Sequence, residues 1–148
     1  MLRAIIILHL LGASVWVGGH LVLLLSVLPK ALKLKDASIV LQFEERYERV
    51  GIPALVLQLL TGLWLADRFV PGILPAFSFS DPLRAAIATK LVLLIATVVT
   101  GVHARLRLIP GLTNTRLPLL AVHIALITTL AVALLVMGSI LHEWAWVR

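Results

Sequence analysis

Four long stretches of the chain are almost wholly apolar, and shorter polar connections separate them. These stretches cover approximately residues 3–28, 50–68, 83–107 and 116–142. Residues 4–28 contain no Asp, Glu, Lys or Arg, and about 20 apolar residues are enough for a helix to cross a bilayer. The pattern therefore predicts four membrane-spanning helices within a single domain, residues 1–148.

Helix-breaking residues indicate where the predicted spans begin and end. Pro29 follows the first span, Pro53 is expected in the first turn of the second, and Asp81-Pro82 gives the third a cap and an initial proline. Residues 30–48 interleave charged and apolar side chains, so an amphipathic cytoplasmic segment is expected there. Short connections favour antiparallel neighbours, so the predicted fold class is all-α, an integral membrane antiparallel four-helix bundle.

The distribution of basic residues predicts the orientation of the bundle. Positive charges concentrate in the connections that face the cytoplasm. The opposite side, with both termini, carries only Arg3, Arg68, Arg84 and Arg148. We therefore expect a multi-pass protein of the bacterial inner membrane with both termini periplasmic. The first and third connections hold the other basic residues that bear on this: Lys30, Lys33, Lys35, Arg46, Arg49, Arg105, Arg107 and Arg116.

Composition excludes several functional classes. With 61% hydrophobic and only 14% charged residues, the chain has too few polar side chains to cover a soluble globule. The net charge of +6 is explained by the basic connections, so we expect no nucleic-acid partner. The first apolar stretch is longer than the core of a signal peptide, which favours a retained helix. Because the chain has no cysteine, disulfides and thiolate ligation of metals are excluded, and imidazole is the main metal ligand on offer.

Histidines within the apolar stretches are the strongest functional signal. His9 and His20 lie eleven residues apart, which returns the second ring to nearly the same helix face at about 100° per residue. A polar group in a membrane helix requires a partner, so each histidine marks a candidate site. Converting sequence position to depth predicts two polar layers. The inner layer holds His20, His103 and His123, and the outer layer holds His9 and Lys90, with His142 above them at the surface.

The inner layer is predicted to bind haem b. Two histidines on facing helices can hold a haem iron from both sides within a bundle, and the same set could bind copper or zinc. The alternative for each histidine is a simple hydrogen bond to a neighbouring hydroxyl or carbonyl group. Room for a macrocycle would come from five glycines: Gly12, Gly18, Gly19, Gly62 and Gly101.

The outer layer has two interpretations. His9, His142 and Met137 are candidate copper ligands, although His142 could equally be an ordinary interfacial residue. His9 is also an alternative or second-site ligand for the haem. Lys90 either extends outward to the membrane surface or faces the interior and binds an anionic group such as a haem propionate.

Three segments carry a resemblance to known membrane proteins. They read LHLLGASVWVGG, ERVGIPALVLQLLTGLWLA and DPLRAAIATKLVLLIATVVTGVHARLRLIP, at residues 8–19, 48–66 and 81–110. They resemble the membrane domain of the copper-resistance protein D (CopD) family and are similar to HemJ-type haem-binding membrane proteins. The resemblance implies functional roles for His9 and Lys90 and matches His103 to a late histidine of the HemJ type. His20 and His123 have no counterpart in either pattern, which points to an additional cofactor function.

Three functions remain open from the sequence. The first is a haem b-binding membrane protein with a redox or electron-transfer role. Whether such a protein is also an enzyme, a membrane oxidoreductase, is left open by the sequence. The second is a copper-binding, copper-transport or copper-resistance protein, and the third is a protoporphyrinogen oxidase acting through His9 and Lys90. Expected partners are the lipid bilayer, a second copy of the chain packed through a glycine-bearing face, and a membrane quinone or redox protein.

Overall fold

Most of the described residues are helical. The structure, a computed structural model, describes residues 1–72, 77 and 79–146, with side chains up to residue 139. Over these residues it contains no strand and four helices that are long and apolar enough to cross a membrane. Their bounds, with the labels used below, are α1 Leu2–Leu34, α2 Ser38–Phe69, α3 Pro82–Leu108 and α4 Leu117–Trp146.

Two helices contain a turn of π-helix. In α1 it covers Leu23–Val27 and in α3 it covers Ala104–Leu108. A π turn bonds each N–H to the carbonyl five residues back and is frequent near functional sites. Pro29 lies two residues after the first π turn, and α1 continues past it to Leu34. The expectation that Pro29 ends the first span is therefore wrong, because the wider turn relieves the clash that proline makes with a regular helix.

The second helix begins earlier than the apolar pattern suggests. It starts at Ser38 and runs without interruption to Phe69, so residues 38–48 are its first turns rather than a separate segment. Pro53 consequently lies inside the helix and not in its first turn. Asp36 helps to start the helix by accepting a 2.9 Å hydrogen bond from the Ser38 N–H. Hydrogen bonds from the Ser38 hydroxyl and then from its N–H lower the pKa of the Asp36 carboxyl.

The order of helix packing determines where the interior can open. Helix α1 packs against both α2 and α4, and α3 packs against α4. The larger apolar core lies where the α1–α2 and α3–α4 connections meet, and the Ala37 N–H donates a 2.9 Å hydrogen bond to Asn114 Oδ1 across these connections. A smaller cluster joins Val70 and Ile87 at the other end. The larger core is made by Leu23, Leu28, Ala31, Ala37, Val40, Ala104, Leu108, Leu117, Leu120 and Ile124.

Candidate functional site

A cavity of about 460 Å³ lies between α2 and α3. Residues of α2 and α3 form two of its walls, and residues of α1 and α4 complete it. Its volume is within the range of about 300–1,000 Å³ that is usual for small-molecule and cofactor sites. Most of the lining is apolar, and its polar groups include two of the predicted histidines, His20 and His123.

His20 presents a ligand nitrogen at this cavity. Its side chain is only 7% exposed, and Nδ1 lies 2.9 Å from the Trp16 carbonyl oxygen one turn earlier. A carbonyl oxygen only accepts, so Nδ1 carries the proton and Nε2 of the neutral ring holds a free lone pair. No residue in the described part of the chain donates a hydrogen bond to this Nε2.

Tyr47 holds the His20 ring in place. Its hydroxyl lies 3.2 Å from the carbonyl oxygens of both Val15 and Trp16 and donates to them. The tyrosine ring meets the His20 ring edge-on at 5.8 Å between centroids. It occupies the space that Gly19 leaves free, since a Cβ on that residue would overlap the ring. Tyr47 was not among the predicted site residues, although it is the only tyrosine of the chain.

His123 lines the same cavity from α4 and is paired with His103 of α3. His123 Nδ1 lies 3.0 Å from the Leu119 carbonyl oxygen and therefore donates to it, which repeats the arrangement at His20. Nε2 of His123 then accepts from Nδ1 of His103 at 3.2 Å. The two rings lie nearly parallel, 5.2 Å apart. His103 itself is exposed and does not line the cavity.

The three predicted inner histidines thus do not form one cluster. Across the part of the chain that the structure describes, no group of three or more His, Cys, Asp or Glu side chains is arranged to hold a metal ion. The His20 carbonyl oxygen lies 3.4 Å from Thr128 Oγ1, so His20 is level with Thr128 of α4. Thr128 is five residues along α4 from His123, and the two cavity histidines therefore differ in height by about 7.5 Å. The sequence predicted one shared depth for these histidines. Sequence position does not fix the relative axial shift of neighbouring helices, so the prediction missed this difference.

Charged residues that the sequence placed in the amphipathic segment and in the third connection line the cavity. Glu44 and Glu48 of α2 and Arg105 of α3 all line it. Glu48 and Arg105 form an ion pair across the gap between the two helices. The missed signal was helical spacing, because Glu44, Tyr47, Glu48 and Gly51 recur at intervals of three and four and thus share one face.

Few of the predicted glycines make room at the cavity. Gly101 lines it and would have open space around an added Cβ. Gly12, Gly19 and Gly62 instead permit close contact between α1 and α2, where they meet Gln58, Tyr47 and His9. Gly18 has open space but does not line the cavity. Only one of the five glycines therefore contributes space of the predicted kind.

The predicted outer residues lie apart from this cavity. Thr61 donates to the Leu57 carbonyl oxygen at 2.6 Å, so its oxygen accepts from His9 Nδ1 at 2.8 Å. Lys90 faces inward, with Nζ 3.3 Å from the position of a Cβ on Gly138, and is close enough to His9 for a Coulombic interaction.

The candidate copper ligands are not brought together by any described contact. Met137 is half-buried on α4. The side chain of His142 lies outside the described residues.

One donor beside the cavity has no partner. The Trp16 Nε1–H is buried and makes no hydrogen bond to any described residue, while the indole ring packs 4.4 Å from the His20 ring and lines the cavity. Buried donors without a partner are rare in native proteins and call for an explanation. A bound molecule with an acceptor atom near His20 would give this N–H a hydrogen-bond partner.

Comparisons with protein-family models, with curated proteins and with solved structures gave no match for this chain. The site is therefore interpreted from its own geometry.

Proposed function

We propose that this chain is a haem b-binding protein of the bacterial inner membrane with a redox or electron-transfer role. The observation that carries the proposal is the free Nε2 of His20 at an apolar cavity between helices. An axial histidine almost always donates its other ring nitrogen to a carbonyl or carboxylate group, which fixes the tautomer and raises ligand basicity. The bond from His20 to the Trp16 carbonyl oxygen has this form.

The residues around the cavity fit a haem group. His20 would hold the haem through its free Nε2, and His123, oriented by the same kind of bond to its own helix, would hold it from α4. Nε2 of His123 accepts from His103 in the structure, so His103 would have to turn away for His123 to hold the haem. Apolar residues keep water away from the macrocycle, and the Trp16 Nε1–H can donate to a group bound beside His20. When bound, haem supplies one-electron chemistry at iron.

The proposal includes the arrangement of the bundle in the membrane. Consecutive helices are antiparallel, with the connections at Ala37 and Asn114 in the cytoplasm and both termini in the periplasm. The hydrogen bond between these two residues supports placing both basic connections on one side, as the positive-inside rule requires.

A second function, protoporphyrinogen oxidation, is supported by the outer residues. His9 and Lys90 interact electrostatically although they lie on different helices, and both match the residues implied by the resemblance to HemJ-type proteins. Lys90 would attract a carboxylate of the substrate. Rescue of a strain that lacks this activity, and loss of the rescue in Lys90→Met, would establish it, and failure of the wild-type chain to rescue would exclude it.

Absorption spectroscopy tests the haem proposal. The wild-type protein, purified in detergent after expression with adequate haem, should show a Soret band that shifts on reduction. His20→Ala should lose most of the bound haem, whereas His9→Ala, a matched control outside the cavity, should keep it. A wild-type sample without a Soret band, or a His20→Ala spectrum identical to wild type at full occupancy, would refute the proposal.

A further inference from the structure

We infer that haem enters and leaves the cavity sideways from the bilayer, between α2 and α3, and that the ion pair of Glu48 with Arg105 closes this opening. The inference rests on the proposed function, because haem is the molecule that would pass. It adds the route of loading and the residues that control the route.

The packing of the helices leaves this side of the bundle open. Helix α2 is held by α1, and α3 is held by α4, while α2 and α3 form facing walls of the cavity. Two contacts between the α2 and α3 sides lie far apart along the helices. Val70 and Ile87 cluster beyond the cavity, at the end of α2 and the start of α3, and Glu48 pairs with Arg105 among the residues that line the cavity. The side between these contacts is where a molecule could pass without separating packed helices.

The rim of the opening is apolar and exposed. Ile52 of α2 is 52% exposed, and Val102 and Leu106 of α3 are 50% and 67% exposed. All three also line the cavity. In a membrane-spanning bundle, exposed apolar side chains at this depth face lipid acyl chains, so the opening communicates with the bilayer. A planar, mostly apolar macrocycle dissolved in the bilayer can reach His20 by this route without crossing water.

The ion pair is suited to act as a latch. The Glu48 and Arg105 side chains are 24% and 52% exposed, and ion pairs with this much exposure are weak. The pair nevertheless spans the gap between two helices that otherwise belong to different halves of the bundle. Opening it therefore frees α3 from α2 at low cost while the contacts of α1 with α2 and α4 remain.

A cross-link across the opening tests the route. The native chain has no cysteine, so Glu48→Cys with Arg105→Cys can be joined by a short bifunctional thiol reagent without background labelling. Haem transfer from the loaded protein to an excess of a soluble apo-globin is then followed in the Soret band. Joining the cysteines should slow release at least tenfold relative to the same variant left unjoined. Joining them before loading should block uptake from haem-containing vesicles.

A matched cross-link controls for general stiffening. Ala37→Cys with Asn114→Cys joins the two connections without spanning the cavity, so it should leave release unchanged. Equal release from the joined and unjoined Glu48/Arg105 variant would overturn the lateral route and leave the haem proposal standing. A wild-type protein that takes up no haem would instead refute the proposed function, and the inference with it.

Single substitutions test the latch without a reagent. Glu48→Gln and Arg105→Gln should each speed haem release by about two- to fivefold, the factor expected for loss of an exposed ion pair. Arg107→Gln removes the same charge from a residue that does not line the cavity and should have no effect. If the cysteine variant takes up no haem, these substitutions decide the matter, and unchanged rates in both would overturn the latch.

Discussion

Two adjacent glycines should respond to the same substitution with opposite signs. An alanine Cβ at Gly18 would meet no atom within 4 Å, whereas at Gly19 it would overlap the Tyr47 ring. Both residues lie inside α1, so the gain in helix propensity from Gly to Ala, about 1 kcal/mol, is common to both. The difference between the two variants therefore measures the contact with Tyr47.

The expected magnitudes follow from the packing and the hydrogen bonds that Tyr47 would lose. Gly18→Ala should raise the free energy of unfolding by about 0.5–1 kcal/mol. Gly19→Ala forces the Tyr47 ring to move, which costs about 1–3 kcal/mol for overpacking and about 0.5–1.5 kcal/mol for the hydroxyl bonds to the Val15 and Trp16 carbonyl oxygens. Because the propensity gain is common to both variants, Gly19→Ala should be less stable than Gly18→Ala by the sum of these two costs, about 1.5–4.5 kcal/mol.

Reversible unfolding in mixed detergent, followed by circular dichroism, measures both values. A double-mutant cycle with Tyr47→Ala assigns the effect, because removing the ring should abolish most of the cost of Gly19→Ala and leave Gly18→Ala unchanged. The close contact between Tyr47 and α1 would be refuted by equal stabilities of the two glycine variants. It would also be refuted if Tyr47→Ala had the same effect in Gly18→Ala and in Gly19→Ala.

Three further predictions concern the packing and the topology. Leu23→Ala, at a side chain that is 1% exposed, should lower the free energy of unfolding by about 2–5 kcal/mol. Leu25→Ala in the same π turn, 71% exposed, should have little effect. Similar losses in the two variants would contradict the buried position of Leu23. Asn114→Ala leaves the Ala37 N–H without its acceptor and should cost about 1 kcal/mol in the same assay, with Asn114→Asp closer to wild type. Lys35→Cys and Asn114→Cys should both react with an impermeant maleimide in inverted membrane vesicles and not in intact cells, and labelling of only one from that side would refute the shared cytoplasmic location.

Much of the site follows from residue types, and the rest depends on side-chain direction. His20 and His123 could be selected from the sequence because imidazoles are rare and costly in apolar stretches. Tyr47, Glu44 and Arg105 could not, since a tyrosine and charges near a membrane interface are ordinary there. Their importance appears only when α2 and α3 are seen to face one another across a cavity.

The sequence by itself determined the number and approximate position of the helices. The bilayer imposes a minimum apolar length and requires every backbone polar group to be bonded within the helix, so composition alone identifies a span. The tertiary structure decided which side chains meet. Rotation and axial shift of a helix depend on contacts such as the Tyr47 ring against Gly19 and on the π turns after His20 and His103. Neither feature changes the apolar pattern. The pattern therefore could not predict that His103 bonds to His123 or that His20 keeps a free nitrogen at the cavity.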